Sequence, residues 1–374
     1  MIQRIFALTK KEFIHLLKDW WLPAFMLFGG ALELLLVGWA TSRPMTNLPF
    51  MVWDQDKTAV SRELITSVEN TGTLQLHSSV DSMVPIEQAL ERGEITAALI
   101  IPPDFQRNYA APAGELSLAV ILNGAESLPA REALRALEGV SRKLGKDLVI
   151  NRLGMDPDTL TGFDFSLRIW FNQTLSEALY TTPAELGLML EFTVLLFAAL
   201  SFSRERELGT LEQLLVMPFS SLELIIGKSI PVIMVGIFDF FLMLGMVHFA
   251  FQVPVQGSLV LLAVLALVYV LVELSKGLVL SVLSRTQHQA FLLVMLVGMS
   301  DFMFTGYAAP VDSMPPVLQK LALLVPAHHW LTILRRILLK GAGLDVLYPQ
   351  VAALLLLGLV IMTLSWRFVR RNID

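Results

Sequence analysis

The sequence predicts a polytopic α-helical membrane protein with an α/β domain inserted near its start. Three observations carry that expectation. Of 374 residues, 55% are hydrophobic and only 16% are charged, where soluble domains carry roughly 25% charged residues. Six apolar runs approach the roughly 20 residues that a helix needs to cross a bilayer. Between the first two runs the composition changes: residues 42–182 hold 18 acidic and 12 basic side chains, more than half of the 33 Asp and Glu in the chain. A formal charge of −5, with no basic patch interleaved with aromatics, argues against nucleic acid as a partner. The chain has no cysteine, which removes disulfides, thiolate catalysis and cysteine-based zinc sites. No cleavable leader is expected, because the start lacks a short apolar core and a small-residue cleavage site.

Residues 1–21 read as an interfacial connecting helix. Ile2, Ile5, Phe6, Thr9, Phe13, Leu16, Leu17 and Trp20 recur at helical spacing, while Arg4, Lys10, Lys11 and Lys18 lie mostly off that stripe. Trp20 and Trp21 suit the interface with lipid. The first span is 22–41. In the insert, Leu48–Asp54, Leu74–His77, Ile95–Ile101 and Leu116–Leu122 read as strands. Ala59–Asn70, Met83–Arg92 and Pro129–Leu153 read as helices, and Pro102-Pro103 marks a turn. Residues 183–374 hold five more spans: Ala184–Phe202, Leu224–Phe251, Leu259–Leu283, Ala290–Thr305 and Leu347–Trp366. In 306–346 two apolar stretches, Leu318–Val325 and Trp330–Leu339, are too short to span and are broken by Pro315, Pro316 and Pro326. They read as helices that dip into the membrane and return; a seventh span is the competing reading.

Basic residues orient the spans. Arg4, Lys10, Lys11, Lys18, Arg204, Arg206, Lys228, Arg285, Arg367, Arg370 and Arg371 all fall on one side of a six-span chain. By the positive-inside rule that side is the cytoplasm, which puts both termini inside and the insert outside. Arg335, Arg336 and Lys340 run against the rule.

No catalytic motif is present. Gly227-Lys228-Ser229 lacks the earlier glycine of a phosphate loop, that position being Leu222. His328 and His329 are adjacent, so on a helix they diverge and do not form an i, i+4 metal pair. Charges inside the spans are the stronger lead. Glu33, Glu191, Asp239, Glu273, Lys276 and Asp301 each cost about 2.5–3.5 kcal/mol in hydrocarbon, so each is expected to face a protein or water-lined interior. Glu273 and Lys276 are spaced to pair on one helix face. The set reads either as a polar path or proton relay, or as pairing that fixes helix packing.

Residues 203–217 read as a short amphipathic helix between two spans. Leu208, Leu211, Leu214 and Leu215 fall on one face, and Glu205, Arg206, Thr210, Glu212 and Gln213 on the other. Ser203 is placed to cap it and Pro218 to stop it. A solvated loop joining two spans is the plainer alternative. The run Arg204-Glu-Arg-Glu-Leu-Gly-Thr-Leu-Glu-Gln-Leu-Leu-Val-Met-Pro218 closely resembles the signature of ABC type-2 exporter permeases. It looks most like a bacterial subgroup with a large extracytoplasmic domain, which includes multidrug efflux permeases. The resemblance takes in the surface helix, six spans, the insert, the re-entrant helices and the basic end.

The resemblance implies a permease that pairs as a homo- or heterodimer and binds two copies of a separate ABC ATPase. That partner would hold ATP and Mg, with no cofactor in this chain. It implies that 203–217 is the coupling helix, with Arg204, Glu205, Arg206, Glu207, Gly209, Thr210, Glu212, Gln213 and Pro218 as its signature residues. Glu205, Arg206, Glu212 and Gln213 are the expected ATPase contacts. Similar systems engage a periplasmic adaptor and an outer-membrane channel, for which the insert would be the docking surface. Rival readings are a lipid- or glycan-exporting ABC permease, an ion-coupled secondary transporter using the buried carboxylates, and a sensor. No repeat between the span triplets supports the second, and the interior segments are too short for the output domain of the third.

Overall fold

The computed structural model describes residues 1–42, 45–111, 117–125, 127–153, 177–217, 219–308 and 310–373, which fall into two units, Met1–Arg43 with Ile169–Asp374 and Pro44–Arg168. The chain opens with α1 (Ile2–Lys18) and α2 (Trp21–Ser42). The second unit follows: β1 (Leu48–Asp54), α3 (Ala59–Glu69), β2 (Leu74–Ser79), α4 (Met83–Glu91), β3 (Ala97–Ile101), α5 (Phe105–Ala110), β4 (Ala119–Leu122) and α6 (Ser127–Leu153).

That unit is a four-stranded sheet in the order β2-β1-β3-β4. β1 pairs parallel with β2 and β3, and β3 pairs antiparallel with β4. Parallel neighbours need crossovers, and α3 and α4 supply them. Because side chains alternate along a strand, both faces of the central strands are apolar. Phe50, Val52, Leu99 and Ile101 pack with Leu64, Val68, Ala133 and Leu137 of α3 and α6. Met51 and Ala98 pack with Ile86 and Ala89 of α4.

The first unit resumes with α7 (Ala178–Glu207), α8 (Leu211–Val216), α9 (Ser221–Phe251), α10 (Leu259–Leu283), α11 (Gln287–Phe304), α12 (Pro316–Ala322), α13 (Pro326–Lys340) and α14 (Leu344–Ile373). Among the described residues, five of its helices are long and apolar enough to cross a membrane: α2, α7, α9, α10 and α14. α11 has 18 residues and carries Gln287, His288, Gln289 and Asp301, so it falls short by composition. α12 and α13 meet at a bend of 80° and count as a broken span or a re-entrant pair. By length and composition, the described residues therefore hold five candidate spans, or six if the bent pair is one span.

α7 is the axis of this unit. It is buried along most of its length and packs against α2, α9, α10, α11 and α13. α10 crosses it so closely that a Cβ on Gly277 would stand 2.5 Å from the Ala198 Cβ. α1 lies across the start of α9, with Leu8 buried over Gly227. Its other face leaves Ile2, Phe6 and Leu17 exposed, as is Trp20 just after it. Lys11 and Glu12, off the sequence stripe, thus belong to the inward side.

Candidate functional site

α7 carries polar groups at both ends and in the middle, and the sequence-derived residues sort among these three places.

The first is where α7 ends. Successive residues on a helix are turned by about 100°, so Arg204, Glu205, Arg206 and Glu207 point to four different sides. Arg204 pairs with Asp19, between α1 and α2. Glu205 accepts from Lys11 of α1 and from Thr210, and Lys228 of α9 lies 3.4 Å away. Arg206 donates to the carbonyls of Val282 at 2.9 Å and Ser284 at 2.7 Å, at the end of α10. Cationic donors suit the free carbonyls at a helix C-terminus. Glu207 accepts from the Gln287 amide at 2.8 Å, the first residue of α11, where free N–H groups favour a carboxylate.

This arrangement corrects the reading of 203–217 as one amphipathic helix. Ser203 caps nothing; it lies within α7 and donates to the Ala199 carbonyl at 2.8 Å. The helix stops at Leu208. Gly209, at φ +68, donates to the Arg206 carbonyl, and Thr210 donates to that of Glu205. Those two bonds around a left-handed glycine are a Schellman stop. The sequence signal was a glycine just after a turn with two arginines, and the leucine spacing across it masked the break. Glu205 also leaves the expected polar face, because it is only 4% exposed among lysines of other helices.

α8 then presents a free surface. Leu214 is buried beside Leu8 and Leu224, whereas Glu212 and Gln213 are exposed, as are Leu208, Val216 and Met217. A groove between α1 and α8 is lined by Ala7, His15, Thr210, Gln213, Met217 and Phe219, among others. Pro218 lies outside the described residues.

The second place is mid-helix. The Lys276 ammonium is 2.7 Å from Glu273, 2.6 Å from Asp301 on α11 and 3.4 Å from Glu191 on α7. The expected Glu273–Lys276 pair is thus present and extends to two further helices. Tyr269 donates to Glu191 at 3.2 Å and stacks on Trp330 at 5.0 Å. Asp239 stands apart: it is fully buried beside Thr193, away from the lysine pairings of the cluster. Glu33 departs from the expectation of an interior setting. It is exposed on α2, whose buried side toward α7 and α9 is made by Gly30, Ala31, Leu34 and Gly38.

The third place is the start of α7. The Arg335 guanidinium of α13 lies 3.7 Å over the Tyr180 ring and donates to the carbonyls of Gly306 and Tyr180, each at 3.2 Å. The Tyr180 hydroxyl donates to the same Gly306 carbonyl at 3.0 Å. Arg335, anomalous under the charge rule, is thereby accounted for by internal bonds, and Arg336 donates to Gln350 of α14 at 3.4 Å.

Sequence reasoning missed Asp19, Glu12, Tyr180 and Tyr269. It weighed Lys228 only as part of a rejected phosphate loop. A family model described as ABC-2 family transporter protein matches residues 20–367. The chain belongs to the ABC-2 transporter family. This ABC-2 permease is a multi-pass membrane protein, and its relatives are bacterial and eukaryotic. It is 28% identical over 377 residues to the probable multidrug ABC transporter permease YbhR of Escherichia coli, covering 100% of both chains. It is 25% identical to the inner membrane transport permease YhhJ of the same species, over 100% of the permease and 98% of that protein. ABC transporter G family member 20 of Dictyostelium discoideum is 22% identical over 95% of the permease, which spans 49% of that longer protein.

Proposed function

We propose that the chain is the transmembrane permease subunit of an ATP-driven exporter, powered by a separate ABC ATPase that binds ATP and Mg. The observation that carries this reading is the end of α7, where one run of four residues bonds to α1, α10 and α11 and to the segment before α2, directly beside the exposed α8. A partner bound on α8 and α1 thereby acts on the ends of most helices in the bundle at once. In this reading α11 completes six spans, α12 and α13 dip and return, both termini are cytoplasmic, and the 42–182 insert is periplasmic. The chain acts in the inner membrane with a second permease, identical or not. A periplasmic adaptor and outer-membrane channel would dock on the insert. The substrates are amphipathic or other small compounds, in keeping with the names of its bacterial relatives.

Docking is assigned to the exposed residues Glu212, Gln213, Val216 and Met217 rather than to the inward-facing Arg204–Glu207 run. Glu212→Lys and Val216→Asp are expected to weaken ATPase binding by about tenfold each, as for residues near the centre of an interface. Quantitative pull-down of the ATPase by detergent-solubilised variants measures this. Undiminished capture by both variants would remove α8 from the interface. The ion-coupled alternative draws on the Lys276 cluster, and it predicts transport under an ion gradient with no ATPase present.

A further inference from the structure

The run Gly227-Lys228-Ser229 has a place in the fold that its sequence did not disclose. α1 crosses α9 on Gly227, where a Cβ would meet Leu8 at 2.5 Å and where Thr9 donates to the Gly227 carbonyl at 3.3 Å. The next residue, Lys228, has a side chain with 0% exposure. Its ammonium donates to Glu12 of α1 at 2.8 Å and to the Ser201 carbonyl of α7 at 2.9 Å, and reaches Glu205 of α7 at 3.4 Å. The Phe202 ring lies 5.3 Å from the same nitrogen. An ammonium has three N–H donors, and here three acceptors from two other helices surround it. Lys11 and Lys228 face Glu12 and Glu205, so the buried charges balance. The Lys228 ammonium thus joins α1, α7 and α9 through a single atom.

We propose that Lys228 is the positioning residue through which movement of α1 and α8 reaches α7 and the helices packed on it. The proposal rests on the reading of the chain as an ATPase-coupled permease. It assigns separate tasks to neighbouring groups: α8 holds the partner, and the Lys228–Glu205–Glu12 joint passes the displacement on. Losing the joint leaves the partner bound and the far end of α7 still.

The chain has no cysteine, so spin labels can be placed at will on the full-length permease with an ABC ATPase captured by it. One label at exposed Leu208, beside α8 but outside the assigned docking residues, reports on engagement of the partner. A pair at Val317 of α12 and Val346 of α14, both exposed, reports on the opposite end of the bundle. In the parent, adding ATP is expected to immobilise the Leu208 label and to shift the Val317–Val346 distance. Lys228→Met alone leaves Lys11 to face both Glu12 and Glu205, one carboxylate in excess, and lowers stability. Lys228→Met combined with Glu205→Gln leaves Lys11 facing Glu12 and restores the charge balance. The double variant is expected to recover the parent's thermal midpoint and its Leu208 response, with ATPase affinity within about twofold, yet to lose the distance shift and about tenfold of the ATP-dependent change it drives. Recovery of the shift together with stability would reduce Lys228 to a packing role and overturn the proposal. An absent Leu208 response in the parent would instead sink the coupling reading itself, and the proposal with it.

Discussion

At Gly277 and Gly209 a missing side chain serves two different physical ends. A Cβ on Gly277 would lie 2.5 Å from the Ala198 Cβ and 2.8 Å from the Leu195 carbonyl oxygen, which is backbone and has little room to yield. Gly277→Val is expected to cost about 1–3 kcal/mol through overpacking. Gly209 has nothing within 4 Å of a built Cβ, so Gly209→Ala carries only the left-handed backbone penalty of about 1 kcal/mol. Thermal unfolding in detergent should rank Gly277→Val well below Gly209→Ala, and a neutral Gly209→Ala would mean that the helix runs on through 209. Individual charges were harder to read than glycines. A glutamate in a polar-looking loop has the same letter whether it faces water or another helix's lysine. Glu205 and Glu212 were indistinguishable until α1 and α9 were in place around the first.

Among the elements, long apolar runs and alternating strands were legible because each is decided locally by hydrophobic period and length. β1 begins and ends where its sequence pattern does, and α10 matches Leu259–Leu283 residue for residue. The order β2-β1-β3-β4 was not legible, since it depends on which strands meet through crossovers. α5 was missed because six residues give too little periodicity. The break between α7 and α8 was masked by leucines that keep helical spacing across a Schellman stop. α13 shows the converse, a short helix whose buried apolar face, with Trp330, Ile333, Leu334 and Ile337, is joined by one arginine that reaches α7. Arg335→Lys would keep the charge but lose the flat guanidinium stack on Tyr180 and one of two carbonyl bonds. The expected loss is about 2 kcal/mol for charged hydrogen bonds in this setting, seen as a lower thermal midpoint. An unchanged midpoint would show that α13 is held by its apolar face alone.

For the molecule as a whole, the polar groups of the membrane unit gather along α7 at Arg204–Glu207, at Glu191 with Lys276, and at Tyr180 with Arg335. Helices α9, α10, α11 and α13 each touch that axis through at least one of them. The membrane class and the ABC-2 family were legible from composition and from the 204–218 run. The division of labour within that run was not, because it depends on which side chains the neighbouring helices reach. The central claim is that export is driven through this chain by a separate ATPase. Reconstituting the purified permease in proteoliposomes, with and without an ABC ATPase captured by it, tests it on ethidium as a fluorescent amphipathic probe. The account predicts ethidium movement only when the ATPase and hydrolysable ATP are both present and no ion gradient is imposed. Movement by the permease alone under an ion gradient, with ATP making no difference, would contradict it.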